Sequence, residues 1–282
     1  MEDAVLFSLK GQVAIITMNR PHSLNSMNEA LIDGLHEALT KVEKDPAIKC
    51  AVLTGNGKAF CAGGDLPFLE KYDTKVIVNV CGHSTEEYLD VVERLADEPR
   101  VDMLEINISC PNVKEGGIAF GQDPKAVEAI TKAVKAKAKQ PIIMKLSPNV
   151  TDITVMAKAA EAGGADCLSL INTLTGMKID IERQTFAIAN KTGGLSGPAV
   201  KPVAVRMVYQ VANAVKIPII GMGGICTAED AMEFILAGAT AVSIGTANFT
   251  NPYTTVEVID GIEAYMRRHG VEDINELIGL VK

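Results

Sequence analysis

The sequence predicts an α/β fold that closes into a barrel of eight parallel strands, each followed by a helix. From residue 75 onward, short runs rich in β-branched residues alternate with amphipathic stretches, which is typical of repeated βα units around a parallel sheet. The first 65 residues add two strand-like runs in the same βα order, and a chain of 282 residues is long enough for one large barrel. Eight such units define the (β/α)8 barrel of the TIM type.

Six of the eight strands are predicted after residue 75, with helix signals between them. These strands are expected at 76–80, 104–108, 142–146, 168–171, 218–222 and 241–244. Ser84 with Glu87, and Thr227 with Asp230, have the spacing of capping boxes, which satisfy the free N–H groups of a first helical turn. Gly238 lies where a helix should end. Six parallel strands alone would leave two unpaired edges.

The segment before residue 66 is predicted to supply the two missing strands. Its predicted elements are a hairpin of strands 5–9 and 12–18 joined at Lys10-Gly11, a helix over 28–44 and a strand over 50–54. Adding the second hairpin strand and the strand after the helix to the other six gives eight in βα order. Because no low-complexity linker separates the two parts, we expect one compact body.

The composition argues against several classes of function. Nucleic acids and anionic membranes are bound by clustered cations, and the net charge of −8 favours neither partner. No apolar run approaches the ~20 residues that span a bilayer. The N-terminal MEDAVLF lacks the basic region of a secretory signal, so we expect a cytoplasmic protein.

The cysteines are predicted to bind no metal and to form no disulfide. The six are scattered and contain no C-x-x-C: Cys50, Cys61, Cys81, Cys110, Cys167 and Cys226. Most are expected to be small buried hydrophobic residues in a reducing compartment.

Residues 11–66 contain MNRP, LNSMN and AFCAGGDL, and on these motifs the segment resembles the opening of the enoyl-CoA hydratase, or crotonase, superfamily. The resemblance implies that the N–H of Gly64 would help to hold a thioester oxygen. The later segments that supply a second N–H donor and the carboxylate acid and base of that family have no counterpart here. Acyl-CoA binding of the hydratase type by residues 1–65 is therefore the disfavoured alternative.

Residues 66–282 contain LPFLEKYD, NVCGHS, LEINISCPNVKEGGIAFG, KLSPNV, INTLTGM, NKTGGLSGPAVKPVA, IPIIGMGGI and VSIGTANF. On these motifs the segment resembles the catalytic subunit of class 1 dihydroorotate dehydrogenase, closest to the NAD-linked 1B type. The resemblance implies a flavoprotein of pyrimidine biosynthesis that oxidises (S)-dihydroorotate to orotate with FMN as hydride acceptor. We therefore predict two domains, a crotonase-like segment 1–65 with barrel strands 1–2 and an FMN barrel 66–282 with strands 3–8.

The resemblance also implies roles for individual residues. Cys110, in NISCPN, matches the catalytic base that removes the C5 proton. The residues that match FMN contacts are Asn79, Asn107, Lys145, Ile171, Gly197, Gly223, Gly224, Gly245 and Thr246. Those that match hydrogen-bond partners of the orotate ring are Asn107, Asn172 and Thr173.

Physical chemistry agrees with these residue types. A thiol titrates nearer neutrality than a carboxyl, so Cys110 suits the removal of a weakly acidic proton from carbon. Gly116 and Gly117 could be the hinges of a loop that closes over it. Lys145 could face the flavin edge where reduction builds negative charge. The two glycine-containing turns after the last strands suit phosphate, because glycine lets the backbone approach a ligand closely.

The chain departs from the family at its N-terminus. The family's own hairpin and first two strands, with a Ser and a Lys near the flavin and an Asn-containing orotate clamp, are replaced by the crotonase-like piece. By topology, Cys61 and Gly64 would then line the pocket. Three hypotheses remain for this chain: a flavoenzyme with weak turnover, an FMN- or phosphate-binding barrel without turnover, and a poorly folded fusion. We rank the binder first for present activity and the fusion last.

The 1B resemblance further implies a partner subunit that carries FAD and an iron–sulfur cluster and passes electrons to NAD. This chain has no cysteine cluster for iron–sulfur and no G-x-G-x-x-G, so that step belongs to the partner.

Overall fold

The computed structural model describes residues 3–69, 71–109 and 120–281. The chain divides into two compact units, Met1–Thr74 and Lys75–Lys282, rather than the single body that we expected. The predicted domain boundary after residue 65 stays a prediction.

The N-terminal unit contains every element predicted for it. The strands are β1 Val5–Lys10, β2 Val13–Met18 and β3 Cys50–Gly55, and the helices are α1 Glu29–Lys44 and α2 Leu66–Leu69. Gly11, with φ of 60°, makes the hairpin turn between β1 and β2. The side chain of Asn28 accepts from the N–H of Leu31 and so caps α1. Strand β3 runs parallel to β2.

A polar network ties the loops of this unit together. Arg20 Nη2 lies 3.0 Å from Asp65 Oδ2, which also accepts from Ser26 Oγ at 2.9 Å. Burial opposes the charge of Asp65, but the hydrogen bonds from Arg20, Ser26 and the N–H of Phe68 outweigh it, so the pKa of Asp65 lies below its ordinary value. Asn25, fully buried, donates to the carbonyls of residues 56 and 59. The MNRP, LNSMN and AFCAGGDL motifs thus meet through these side chains.

The second unit is built on a parallel sheet. Its strands in chain order are β4 Ile77–Val80, β5 Met103–Asn107, β6 Ile142–Lys145, β7 Cys167–Leu170, β8 Leu174–Met177, β9 Ile179–Asp180, β10 Thr185–Phe186, β11 Thr192–Leu195, β12 Ile219–Met222 and β13 Ala241–Ser243. Its helices are α3 Thr85–Leu95, α4 Pro124–Lys137, α5 Ile153–Ala162, α6 Lys201–Ala212, α7 Ala228–Ala237, α8 Ala247–Thr250 and α9 Thr254–His269.

Six of these strands form one sheet in the order β13-β12-β7-β6-β5-β4, with every neighbouring pair parallel. These are the six strands predicted after residue 75, and their existence and order are confirmed. Ile77 of β4 and Val242 of β13 border the same cavity of about 580 Å³, so the two edge strands turn toward each other and the sheet is a curled half-barrel. The central strands β6 and β7 are the most deeply buried, and β7 packs against helix α6.

The helix signals in the sequence are confirmed. The Thr227 side chain accepts from the N–H of Asp230, and Asp230 returns a bond to the N–H of Thr227, which completes a capping box on α7. The Ser84 hydroxyl caps α3, whereas the Glu87 carboxylate reaches one residue further back, to the N–H of His83. Gly238 ends α7 in the left-handed conformation, with φ of 118°.

The predicted closed barrel of eight strands is wrong in its first two strands. Strands β1, β2 and β3 form a three-stranded sheet of their own, and the parallel sheet has six strands in the described part of the chain. The reason lies in the hairpin. All six residues of β1 pair antiparallel with β2, and β3 occupies the other edge, so β2 has no free edge for a neighbour in a barrel.

An insertion between β7 and β12 was not predicted. Two antiparallel pairs, β8 with β11 and β9 with β10, extend from the end of β7. The segment does contain one alternating run, residues 177–182, but its strands are only two to four residues long, and the sequence prediction did not include them.

Two further expectations concern membranes and cysteines. None of the helices in the described residues combines the length and apolar character that crossing a bilayer requires.

The expectation that most cysteines are buried is wrong for the five that the structure describes, because only Cys167 is buried. Burial raises the pKa of the Cys167 thiol to about 11.

Candidate functional site

The carboxyl ends of β6, β7, β12 and β13 surround a cavity of about 310 Å³. Parallel strands in matched register bring the loops that follow them to one edge of the sheet, and this edge is where α/β proteins bind their ligands. Nine of the predicted site residues line the cavity: Lys145, Ile171, Asn172, Thr173, Gly197, Gly223, Gly224, Gly245 and Thr246. Its volume falls at the lower end of the roughly 300–1,000 Å³ of small-molecule pockets.

Bare backbone forms one wall of this cavity. A Cβ atom at Gly197 or Gly245 would meet no protein atom within 4 Å, so a side chain there would extend into open space. Gly223 and Gly224 have φ of 127° and 81°, which side chains rarely adopt. Within the described part of the chain, the N–H groups of Gly223, Gly224 and Gly245 donate no hydrogen bond. Such a cradle of N–H groups suits a phosphate.

A row of amide side chains crosses the strand ends beside the cavity. Asn107 Nδ2 lies 3.4 Å from Asn79 Oδ1, and Asn172 Nδ2 lies 3.4 Å from Asn107 Oδ1. The Asn172 amide also donates to Ser109 Oγ at 2.7 Å. The structure therefore joins Asn79 and Asn107 to the wall of the cavity through Asn172.

Tyr88 holds one member of this row, Asn107, through a hydrogen bond to its backbone. Its side chain is fully buried, and its O–H donates to the carbonyl of Asn107 at 2.6 Å. A buried tyrosine that finds a partner for its hydroxyl holds the carbonyl in place. The sequence gave no signal for this role, because Tyr88 lies in α3, far along the chain from Asn107.

Lys145 is held by a carboxylate that the sequence reasoning missed. Its Nζ lies 3.3 Å from Glu105 Oε2, and Ser169 Oγ donates to Glu105 Oε1 at 2.6 Å. Asn79 Nδ2 also donates to Glu105. The signal was present, since Glu105 is the one charged residue in the otherwise apolar run around Leu104 and Ile106, and strand alternation turns it away from these two buried neighbours.

Asn149 is a second residue that was missed. Its Nδ2 donates to the Thr173 carbonyl at 3.0 Å, and its Oδ1 accepts from the N–H of Thr175 at 2.8 Å. It thereby fixes the segment that follows β7 and carries the predicted orotate contacts. Its place in KLSPNV pointed to a loop after β6 without indicating a partner.

The remaining predicted site residues lie elsewhere. Cys110, Gly116 and Gly117 are outside the described residues. Gly64 belongs to the N-terminal unit, where it is exposed and forms a short parallel bridge with Met27. The topological argument that placed Gly64 and Cys61 at the barrel rim fails, because β3 is not a strand of the parallel sheet.

Elsewhere in the described residues there is a second large cavity and no cluster of metal ligands. The N-terminal unit has a cavity of about 850 Å³ beside α1, lined by none of the predicted site residues. In the described ranges, no group of three or more His, Cys, Asp or Glu side chains is arranged to hold a metal ion.

A curled parallel sheet whose strand-end loops present glycine backbone, amides and a lysine to one cavity defines an α/β protein of the phosphate- and cofactor-binding class. Comparison with known proteins narrows this class. A sequence model described as dihydroorotate dehydrogenase matches residues 24–266. The chain belongs to the dihydroorotate dehydrogenase family.

Similar proteins agree with this assignment. The chain is 74% identical over 218 residues to the catalytic subunit of dihydroorotate dehydrogenase B (NAD(+)) of Lachnoclostridium phytofermentans, covering 77% of this chain and 72% of that protein. It is 62% identical over 215 residues to the protein of the same description from Alkaliphilus metalliredigens, covering 76% and 71%. A crystal structure of DHODH from Eimeria tenella, in complex with ferulenol, matches with a TM-score of 0.59 at 21% identity, over 89% of this chain and 68% of that one. This last likeness concerns the fold alone.

Proposed function

We propose that this chain is a dihydroorotate dehydrogenase of the B type, which oxidises (S)-dihydroorotate to orotate with FMN as hydride acceptor. The observation that carries the proposal is the 310 Å³ cavity, where bare glycine backbone, Lys145 and the Asn172–Thr173 segment meet at the ends of four parallel strands. The family and the names of its relatives support the choice of substrate.

The residues present fit FMN. The catalytic subunits of this family are FMN-dependent flavoproteins, and a phosphate needs N–H donors and close backbone approach, which the loops after β12 and β13 offer. Lys145, at the end of β6, would supply positive charge to the ring, and the open space at Gly197 and Gly245 would leave room for the ligand. When bound, FMN would supply the acceptor for the hydride, with its two electrons, that leaves C6 of the substrate.

The chain's own residues would orient the substrate and take its proton. Asn107, Asn172 and Thr173 would hydrogen-bond the pyrimidine ring, with Asn107 fixed by Tyr88 and Asn172 fixed by Ser109. Cys110, as the thiolate, would receive the C5 proton. Loss of that proton and of the C6 hydride leaves the C5–C6 double bond of orotate, so atoms and electrons balance.

A second candidate function is a folded FMN or phosphate binder without turnover. The observation that favours it is the six-stranded sheet, since the two strands expected to complete a barrel form a separate sheet in the described residues. The family contacts that those strands would carry have no counterpart in residues 1–65.

Four finer proposals concern the origin of residues 1–65, the role of Gly64, the partner subunit and the location of the protein. The crotonase-like origin of residues 1–65 is supported by the β2–α1–β3 order with parallel strands, and Gly64 as a thioester N–H donor stays a prediction. The family match begins at residue 24, inside this segment. For an active enzyme, we propose an electron-transfer subunit with FAD and an iron–sulfur cluster as partner, by analogy with relatives described as catalytic subunits, and a cytoplasmic location.

The absorbance spectrum of the protein tests both candidates. The chain is reconstituted with FMN, desalted, and measured without oxygen before and after addition of dihydroorotate. The proposed enzyme keeps its flavin colour and bleaches with substrate, while a binder without turnover stays coloured. Protein that is colourless after desalting would contradict both functions.

Cys110→Ala is the matched control. It should keep FMN, because Cys110 is not among the proposed cofactor contacts, and it should bleach about 100-fold more slowly, since a general base contributes at least that factor. Equal bleaching rates would refute the role of Cys110.

A thermal melt tests the third hypothesis, a poorly folded fusion. A cooperative melt that FMN shifts to higher temperature would count against it.

A further inference from the structure

A lysine–aspartate pair joins the two loops that carry the glycines of the cavity. Lys201, the first residue of α6, places Nζ 2.6 Å from Asp230 Oδ1 and 2.5 Å from Glu233 Oε1, both on α7. The other oxygen of Asp230 accepts from the N–H groups of Cys226 and Thr227 at 2.9 and 3.0 Å. One carboxylate thus links the start of α6 to the loop after β12. We call Lys201 and Asp230 the clamp.

The two loops are also in direct contact. A Cβ atom on Gly224 would lie 2.6 Å from the carbonyl oxygen of Gly197 and 3.0 Å from Cβ of Lys201. Gly197, Gly224 and Cys226 all line the cavity. The clamp therefore contacts, at residues 226 and 227, the same loop that lines the cavity through Gly223 and Gly224.

The clamp also sets the charge beside the cavity. The side chains of Asp230 and Lys201 are only 16% and 21% exposed, so water screens them less than it screens surface charges. Without Lys201, Asp230 and Glu233 would leave two negative charges close to a loop that suits an anion. With it, one positive charge offsets one of the two negative charges.

Both members of the clamp are charged at neutral pH. Hydrogen bonds to Asp230 and Glu233 raise the pKa of Lys201 above its ordinary value. Burial opposes the charge of Asp230, but the hydrogen bonds from Lys201 and from two backbone N–H groups outweigh it and hold the pKa of Asp230 below its ordinary value.

We propose that Lys201 and Asp230 are positioning residues for the phosphate end of the cofactor. Asp230 fixes the loop 223–227 by accepting from the N–H groups of Cys226 and Thr227, and Lys201 fixes Asp230 and offsets its charge. Neither residue touches the ligand in this proposal, and neither was among the predicted site residues. The inference rests on the flavin-binding function proposed above.

The ratio of the riboflavin to the FMN dissociation constant tests the clamp, because the two ligands differ only in the phosphate. Lys201→Met should lower this ratio about tenfold, the scale of a charge-assisted contact, and Lys201→Arg should restore most of it. Asp230→Ala should also lower the ratio, although it removes a negative charge. A higher ratio in Asp230→Ala would overturn the positioning role.

A matched control lies at the opposite end of the strands. Lys135 Nζ lies 2.7 and 2.6 Å from the two oxygens of Asp166, and Asp166 accepts from the N–H of Ile142, the first residue of β6, at 2.8 Å. This pair has the same chemistry but is remote from the cavity loops. Lys135→Met should leave the ratio unchanged, and an equal fall in this variant would overturn the proposal.

Amide hydrogen exchange of the segment 222–234 separates the clamp from the proposed function. Exchange should be faster in Lys201→Met than in the wild type, and inorganic phosphate should slow it in the wild type alone. Unchanged exchange in the variant, or equal protection by phosphate, would refute the clamp. If phosphate protects the wild type but neither flavin binds, the proposed function fails and the clamp stands.

Discussion

Glu105 organises the ends of three neighbouring strands with one side chain. Its two oxygens accept hydrogen bonds from Ser169 on β7, from Lys145 on β6 and from Asn79 on β4. The carboxylate is 12% exposed and Lys145 is 19% exposed, so each depends on the other for compensation of its charge. The position of Lys145 is therefore a property of this cluster rather than of β6 alone.

Glu105→Gln should destabilise the protein. The amide keeps the shape and one acceptor but leaves Lys145 without its counter-charge, and a half-buried group that loses its partner costs about 1–3 kcal/mol. The free energy of unfolding in urea measures the effect.

An exposed ion pair provides the control for this substitution. Asp97 and Lys139 form a contact with side chains 85% and 64% exposed, so Asp97→Asn should cost less than about 0.5 kcal/mol. If the two substitutions cost the same, Glu105 does not hold the cluster as described.

At the scale of elements, the helix ends decide how closely neighbouring helices approach. Gly238 ends α7 in the left-handed conformation, and a Cβ atom there would lie only 2.4 Å from Cβ of Ala212 at the end of α6. Gly270 ends α9 in the same conformation, with φ of 67°, but its Cβ would meet nothing within 4 Å. Gly238 is therefore required both by its left-handed backbone and by the lack of space for a side chain, whereas Gly270 is required only by its backbone.

Gly238→Ala should therefore cost more than Gly270→Ala. Left-handed backbone alone costs about 1 kcal/mol for alanine, and the clash adds about 1–3 kcal/mol for an overpacked contact. The urea midpoints of the two variants measure the difference.

A double variant separates the cost of the clash with Ala212 from the cost of the left-handed backbone at residue 238. Ala212→Gly combined with Gly238→Ala should recover most of the difference, because it removes the atom that the new Cβ meets. Equal midpoints for the two single variants would show that α6 and α7 do not approach as the structure describes.

At the scale of the whole molecule, the chain consists of two units that each have their own sheet. The segment 71–75 at their junction is exposed. Exposed segments between compact units are preferred sites of proteolysis. Lys71 and Lys75 lie in this segment.

Trypsin should cut after Lys71 and Lys75 faster than after Lys132, which is exposed but lies within α4. Mass spectrometry of short digests measures the rates. Replacing both junction lysines by glutamine should abolish the early fragments that end or begin at the junction. Cleavage after Lys132 at the same rate would contradict the division at Thr74.

Much of the fold and of the candidate site could be predicted from local signals. Strands β4–β7, β12 and β13, the capping box at Thr227 and the C-terminal glycine of α7 follow from β-branched runs, hydroxyl–carboxylate spacing and glycine placement. The cavity glycines and Lys145 were predicted from the family motifs that contain them, and the places of Lys145 and of the glycines after the last two strands agreed with that role. Glu105, Tyr88, Asn149 and the clamp were missed, because each acts on a partner at least 19 residues away in the chain.

Local spacing and motifs were enough to predict the strands of the three- and six-stranded sheets, the helices between them, and the family to which the long C-terminal segment corresponds, but not the insertion β8–β11. The number of strands in the parallel sheet depends instead on how the strands pair in three dimensions. Strand β2 has two edges, and its hairpin partner β1 occupies the one that a barrel would have needed. Which edge a strand uses is settled by competition among backbone partners in three dimensions, and no local pattern records the outcome.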